Sequence, residues 1–347
     1  MHSRIISSSS TLAFLLAAAN SVQIVNAFVH QQQQQQHAAP GYNTRVRRSC
    51  IPRSATSSSS AAAANAIATF DASQRATVER IAAAIPDLSP KPDRSWGVST
   101  ATTIGGCLAT LDARDAPGPA NIAWMSSLCI ESKLSALTIF NGPLTDVPHL
   151  LSRCAVLQDD TTLSLALDFR PRAYGAYEMK QPDGSYPGPD VLGRQAFEYS
   201  GARRDFESKF AVDQVVAFMA STAASMDGGS VVEVPATTTT TTESDRLTRG
   251  PLALYMTMPL TDANVAAVTA AREMAASYWL GWATDKSHCH KPGAPVNSQY
   301  VYDSKYKQNA YLALLPIYTE MYGPQDGATL AAADSGPLDE GYVGGGS

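Results

Sequence analysis

The chain has 347 residues, 44% of them hydrophobic, and a formal net charge of -5, yet its first acidic residue is Asp71. Five arginines precede that residue, so the chain without its N-terminal segment carries a net charge of about -10. So acidic a domain argues against nucleic acid as a partner, because phosphate binding needs basic side chains. No later stretch approaches about 18 uninterrupted apolar residues, so no transmembrane segment is predicted.

The N-terminal segment has the composition of a targeting sequence. Arg4, an apolar run over 12–19 and small residues up to Ala27 form the pattern of a signal peptide, residues 1–27. Residues 28–64 contain serine, alanine and arginine but no acid, as plastid transit peptides do. The join at Ala27 and Phe28 resembles the bipartite presequence of algae with complex plastids, which predicts a chloroplast location. The alternative is a secreted protein with a disordered linker.

Residues 65–328 are predicted to form a single domain, and the Gly- and Ala-rich residues 329–347 a disordered tail. The domain is predicted to begin with a helix over 71–85, which is followed by strands within 96–111 around Gly105-Gly106 and by strands over 121–130, 134–140 and 161–169. A helix over 201–226, a hairpin whose tip is the threonine run 237–242 and a strand over 251–258 come next. The last two predicted elements are a helix over 261–284 with Thr261 as its N-cap and a helix over 302–321 that is broken near Pro316. Because the strands are clustered, the sheet is expected to be largely antiparallel.

The segment 141–160 lies between two predicted strands and is itself predicted to be a loop. Gly142, Pro143 and Pro148 interrupt any regular helix or strand there. In the strand that follows, Asp168 is expected on the solvent side or paired with a neighbouring arginine. Loops on a rigid sheet often carry functional groups, so the polar residues of this segment are candidates for a site.

Each of these candidates also has a structural interpretation. Asp146 either binds a ligand or closes the turn before Pro148. His149 is either a proton donor or a satisfied structural histidine, and Arg153 either binds a ligand carboxylate or lies solvated at the surface. No metal site is predicted, because the alternating His288 and His290 have no further ligand nearby. Glycine patterns for nucleotide cofactors are absent from the sequence.

The sequence NGPLTDVPHLL, followed by QDDTTLSLALDFRPR, resembles the red chlorophyll catabolite reductase family, which is related to the ferredoxin-dependent bilin reductases. The matching residues are Asn141, Pro143, Thr145, Asp146, Pro148, Asp168, Pro171 and Arg172. The likeness is collinear over most of residues 70–325 and ends with Tyr322-Gly323-Pro324. It implies a three-layer α/β/α sandwich with a central, mostly antiparallel sheet and a tetrapyrrole between the sheet and the C-terminal helices.

The resemblance also implies a reaction. An open-chain tetrapyrrole, red chlorophyll catabolite or a related bilin, would be reduced during chlorophyll breakdown with ferredoxin as external electron donor and no tightly bound cofactor. The family's two acidic positions correspond to Arg153 and Ala313, so this chain departs from the pattern there. The alternative is a non-catalytic tetrapyrrole-binding or plastid assembly protein that kept the fold.

Residue roles follow from the same likeness. The candidate proton donors are His149, Asp303 and Asn309, and the candidate substrate-binding residues are Asp146, Arg153 and Tyr311. An acidic ferredoxin would need a basic docking patch, expected at Arg194, Arg203, Arg204 and Lys209. The resemblance leaves a homodimer open.

Overall fold

A nine-stranded sheet lies at the centre of the computed structural model, and every described pair of strands is antiparallel. The strands are β1 Ser89–Pro90, β2 Thr102–Ile104, β3 Cys107–Ala116, β4 Ile122–Ile130, β5 Leu134–Asn141, β6 His149–Val156, β7 Thr162–Arg170, β8 Ser230–Val231 and β9 Leu254–Pro259. Their order is β1-β3-β4-β5-β6-β7-β9-β8, with β2 paired to β3 outside this path. The structure describes residues 58–91, 98, 102–104, 106–157, 159–172, 206–232, 249–288 and 296–336.

Helices cover both faces of this sheet. They are α1 Ser58–Ala84, α2 Asp213–Ser225, α3 Asp262–Thr284, α4 Val296–Tyr322 and α5 Pro324–Ser335, and a short 3-10 helix, Lys286–His288, follows α3. We call the face under α1, α2 and α3 the first face, and the face under α4 and α5 the second face. The predicted three-layer α/β/α sandwich with an antiparallel sheet is therefore confirmed.

Strand β6 corrects the prediction of a loop over residues 141–160. The irregular part ends at Pro148, and β6 then pairs along its length with β5 and β7. Seven of its eight residues are buried, because helices cover the sheet on both sides. A strand that is buried on both faces has no alternation of polar and apolar residues. The pattern used to recognise the neighbouring strand was therefore missing here.

Three predicted helix boundaries also differ from the structure. Helix α1 begins at Ser58, inside the segment assigned to the transit peptide, instead of near residue 71. The predicted helix over 201–226 is a helical turn at 206–209 followed by α2. Helix α4 continues through Pro316 rather than breaking there.

Helix α5 occupies residues that the sequence assigned to the disordered tail. Its residues Leu330, Ala331 and Ala333 are fully buried against the rest of the fold. Alanine is the strongest helix former, and Gly336, with φ of 82°, ends the helix in a conformation that glycine adopts without strain. The composition that looked disordered is thus that of a short buried helix up to Ser335.

Local sequence patterns located other elements correctly. The segment predicted to be strand around Gly105-Gly106 contains β2 and β3, which pair as a hairpin across Gly106, whose φ is 88°. Thr261 caps α3, because its Oγ1 accepts a hydrogen bond of 3.2 Å from the backbone N–H of Asn264. The threonine run 237–242 lies outside the described residues. Among the helices that are described, none combines the length and the apolar character needed to cross a membrane.

Candidate functional site

A cavity of about 370 Å³ lies between the second face of the sheet and helices α4 and α5. Alternate residues of the strands reach it, among them Phe140 from β5 and Leu151 from β6. Helix α4 contributes Ala313, Leu314 and Ile317 at helical spacing. The volume lies within the range of small-molecule sites, and most of the wall is apolar. The cavity is therefore the candidate functional site.

The carboxylate of Asp334, on α5, is the centre of a polar cluster in the cavity wall. Asp334 is completely buried, and its oxygens accept hydrogen bonds from Thr138 Oγ1, from Tyr318 Oη at 2.8 Å and from the guanidinium of Arg153. The Arg153 guanidinium also lies 5.7 Å from the centre of the Tyr318 ring. We call these four residues the Asp334 cluster. It joins two strands of the sheet to both C-terminal helices.

The electrostatics of the cluster fix two protonation states. Burial alone would lower the pKa of Arg153, but Asp334 and Tyr318 raise it above its usual value, so the guanidinium stays charged. Burial raises the pKa of Tyr318 well above its usual value, Asp334 raises it further, and Arg153 opposes the rise. Tyr318 is therefore a neutral phenol. The cluster therefore contains an ion pair between Arg153 and Asp334 and a Tyr318 hydroxyl group that keeps its proton.

A second group of polar residues lines the same cavity near the end of β7. Arg170 donates to Tyr255 Oη at 3.0 Å and, through Nε, to Asp168 at 3.1 Å. Asp168 also accepts from the backbone N–H of Gly250, and the Arg249 guanidinium lies 3.6 Å from the centre of the Tyr255 ring. Burial raises the pKa of the Asp168 carboxyl group, which Arg170 opposes. The expected pairing with Arg170 is present, whereas the expected solvent exposure of Asp168 is wrong.

His149 lies on the second face, next to this cavity. Its Nδ1 accepts a hydrogen bond of 3.0 Å from the backbone N–H of Asn141, so the neutral ring carries its proton on Nε2. Burial lowers the pKa of His149 well below its usual value, and the charges of Arg172, Arg170 and Lys307 lower it further. The imidazole is therefore neutral at neutral pH. It can donate a hydrogen bond, but it is a weaker acid than an imidazolium.

The other predicted proton donors lie on α4. Asp303 is buried, and its carboxylate accepts a hydrogen bond of 2.6 Å from Arg172. Asn309 is only partly buried and precedes the cavity-lining residue Ala310, about 100° around the helix. Tyr311 is buried but is not among the residues that line the cavity. The structure thus pairs Asp303 with Arg172, and it places Asn309 and Tyr311 outside the cavity wall.

Asp146 lies away from the cavity. It accepts a hydrogen bond of 2.9 Å from Lys209, and its other oxygen lies 3.2 Å from Nδ1 of His288. The ring of His288 packs against Phe210, which belongs to the core of the first face. Asp146 therefore holds the loop before β6 against the opposite side of the sheet. Of the predicted docking patch, Lys209 has this ion pair, and Arg194, Arg203 and Arg204 lie outside the described residues.

Of the six predicted site residues, the structure places only Arg153 in the cavity wall. Sequence reasoning missed Asp334, Arg170 and Tyr255 as cavity residues. One pattern could have indicated Asp334, since it is a single acidic residue in the otherwise uncharged run 327–336. Within the described ranges, no three histidine, cysteine or carboxylate side chains form a metal-binding group, and His290 lies outside them.

Comparisons with known proteins were made with both sequence and fold. No family model and no curated protein matches the sequence. The fold is similar to solved structures, among them the crystal structure of phytochromobilin synthase from tomato in complex with biliverdin. That similarity has a TM-score of 0.46 at 13% sequence identity and covers 75% of this chain and 81% of that one. Because both values are low, this similarity carries no conclusion about function.

Proposed function

We propose that the chain is a plastid oxidoreductase that reduces an open-chain tetrapyrrole, red chlorophyll catabolite or a related bilin, with electrons from ferredoxin, in chlorophyll breakdown. The observation that carries the proposal is the apolar cavity between the second face and α4, with the Asp334 cluster in its wall. The resemblance of residues 141–172 to red chlorophyll catabolite reductases predicts a tetrapyrrole between the sheet and the C-terminal helices, and the cavity lies there.

The apolar wall would contact the faces of the pigment and exclude water from it. A conjugated tetrapyrrole accepts electrons itself, so such a reaction needs no tightly bound cofactor. Each pair of electrons delivered by ferredoxin is accompanied by two protons, which come from groups at the pigment or from solvent. Exclusion of water protects the one-electron intermediate from side reactions. The protein's own contribution is therefore the dry cavity and the positioned proton donors.

Tyr318 is the proton donor that the cavity supports best. Its phenol holds a proton at neutral pH, and a pigment that has gained electrons is more basic than before. Arg153 lies close to the Tyr318 ring and would stabilise the phenolate that remains. Asp334 supplies a carboxylate beside Arg153, the position where the family's acidic residue is expected. In this chain the carboxylate comes from α5 instead of β6.

The experiment that tests this proposal has two steps. Purified protein is mixed with biliverdin and the absorbance spectrum is recorded, and reduced ferredoxin is then added without oxygen. We expect a spectral shift on mixing and loss of the bound band on reduction. Tyr318→Phe should retain the shift but reduce turnover by about 100-fold or more. Tyr278→Phe, on α3 beside the first-face core, is the matched control and should react normally.

The ion pair of Arg153 and Asp334, in which each residue already compensates the other's charge, favours a second candidate function. A carboxylate that is already bound by an arginine, a threonine and a tyrosine is a poor proton donor. A protein with that arrangement could bind or carry a tetrapyrrole without reducing it, or serve in plastid assembly. A spectral shift without turnover in wild-type protein would support the binding protein. Absence of any shift would contradict both tetrapyrrole functions and leave assembly.

A further inference from the structure

Basic side chains meet where β6 begins and β7 ends, beside the cavity. His149 and Arg170 lie directly opposite each other in the pairing of these two strands. Arg172 is two residues beyond Arg170 and contacts Asp303 of α4, the helix that covers the second face. Lys307 lies one turn after Asp303 and is buried. We call this group of five residues the Arg172 corner.

The guanidinium of Arg172 has donors for which the described residues offer no acceptor. Its side chain is 2% exposed. One terminal nitrogen donates to Asp303, whereas Nε and the other terminal nitrogen have no hydrogen-bond partner among the described residues. Buried polar groups nearly always have a partner, because an unpaired donor loses the hydrogen bonds that water provides. Two such nitrogens on one buried cation therefore point to an acceptor beyond the described residues.

His149 adds another donor at the same place. Its side chain is 1% exposed, and the backbone N–H of Asn141 occupies Nδ1. The proton is consequently on Nε2, which has no hydrogen-bond partner within the described part of the chain. The corner thus presents donor nitrogens without a partner among the described residues from two different buried side chains, one at the start of β6 and one just beyond the end of β7.

The charges of the Arg172 corner indicate which kind of acceptor would bind there. Arg170, Arg172 and Lys307 are cations, whereas Asp168 and Asp303 are the carboxyl groups paired with the two arginines. The cations also contribute to the lowered pKa of His149, as expected where the local potential is positive. An acceptor that is itself an anion would be attracted by these cations and would fill the donors left open on Arg172 and His149.

We propose that Arg172 and His149 bind a carboxylate of the molecule that occupies the cavity. Arg170 and Phe140 both line the cavity, and the Phe140 ring lies 5.1 Å from the ring of His149, so the corner borders that space. The inference rests on the proposed function and makes it more specific. The ligand is a tetrapyrrole with a free acidic side chain, and the esterified pigment is a poor ligand.

The test compares biliverdin with its dimethyl ester in absorbance titrations. The free acid should bind wild-type protein about tenfold more tightly than the ester, because hydrogen bonds to a charged group are stronger than those to a neutral one. Arg172→Gln should weaken binding of the acid to the level of the ester and leave binding of the ester unchanged. His149→Asn keeps an acceptor for the Asn141 N–H, removes the Nε2 donor and should weaken binding of the acid several-fold.

Two controls make the outcome decisive. Lys286→Gln removes an exposed positive charge and should change neither affinity. Far-UV circular dichroism checks that each variant is folded, and His149→Asn serves if Arg172→Gln is not. Equal affinity of wild-type protein for acid and ester would overturn the inference and leave the proposed function in place. If neither compound shifts the spectrum, the proposed function is overturned as well.

Discussion

Arg153 in the middle of β6 and the fully buried Asp334 in the last turn of α5 form an ion pair, although 181 positions separate them in the sequence. The pair fixes the C-terminal helix to the sheet and forms part of the cavity wall. It also explains how a basic residue is tolerated in a buried strand, because its charge is compensated within the fold.

Removal of one member of this pair should be costly. Asp334→Ala leaves the charge of the mostly buried Arg153 side chain without its carboxylate, and the free energy of unfolding should fall by about 3 to 5 kcal/mol. Gln325→Ala, on the exposed side of the same helix, should change it by less than about 0.5 kcal/mol. Unfolding in urea measures both. The double variant Arg153→Met/Asp334→Leu should recover most of the loss, and equal stability of Asp334→Ala and wild type would contradict the pairing.

Truncation of the C-terminus tests whether α5 belongs to the fold. A chain that ends at residue 328 loses the buried residues Leu330, Ala331 and Asp334. We expect it to unfold at a clearly lower temperature and to bind no pigment. A chain that ends at residue 336 keeps every described contact of α5 and should match the full-length protein. If both truncated chains behave alike, the packing of α5 described above is incorrect.

His149 should make stability depend on pH. Its pKa is lowered in the folded protein, so the unfolded chain binds the proton more readily as the pH falls below about 6.5. Its contribution to stability is complete above that pH and is lost on acidification, by about 1 kcal/mol per pH unit. The difference in unfolding free energy between pH 7.5 and 5.5 should be smaller in His149→Asn than in wild type. An unchanged pH dependence would show that His149 does not titrate in this way.

Gly250 and Gly281 provide a matched pair of substitutions. A Cβ atom on Gly250 would collide with the carbonyl oxygen of Phe169 and the carboxyl group of Asp168. Gly250→Ala should therefore destabilise the protein by about 1 to 3 kcal/mol. Gly281 lies in α3 with open space around the same position, so Gly281→Ala should stabilise it by about 0.5 to 1 kcal/mol. Thermal unfolding of the two variants should shift in opposite directions.

The sequence predicted those features that depend on neighbouring residues. Alternation in 161–169 identified β7, and the Thr261 cap identified the start of α3, because both patterns act over a few residues. Strand β6 was missed because burial on both faces removes alternation. Asp334 was missed as a site residue because its partners come from β5, β6 and α4, and contacts at such separation leave no local pattern.

In the candidate site, too, some residues could be identified from the sequence and others only from the fold. Arg153 was singled out from its position after the matched motif, and the structure places it in the cavity wall. Its partner and the donors of Arg172 and His149 that lack an acceptor among the described residues became visible only when strands and helices were placed together. Asp146 matched the same motif, yet it holds a loop against the other side of the sheet. A motif match alone therefore did not separate cavity residues from structural ones.

The proposed function requires that a tetrapyrrole occupies the cavity of the second face. The most direct measurement is an absorbance titration with biliverdin of wild-type protein, Ala313→Trp and Glu320→Trp. Ala313 lines the cavity, whereas Glu320 is exposed on the same helix. We predict the same spectral shift for wild type and Glu320→Trp, and none for folded Ala313→Trp, whose indole fills the cavity. A normal shift in Ala313→Trp, or no shift in wild type, would contradict the claim.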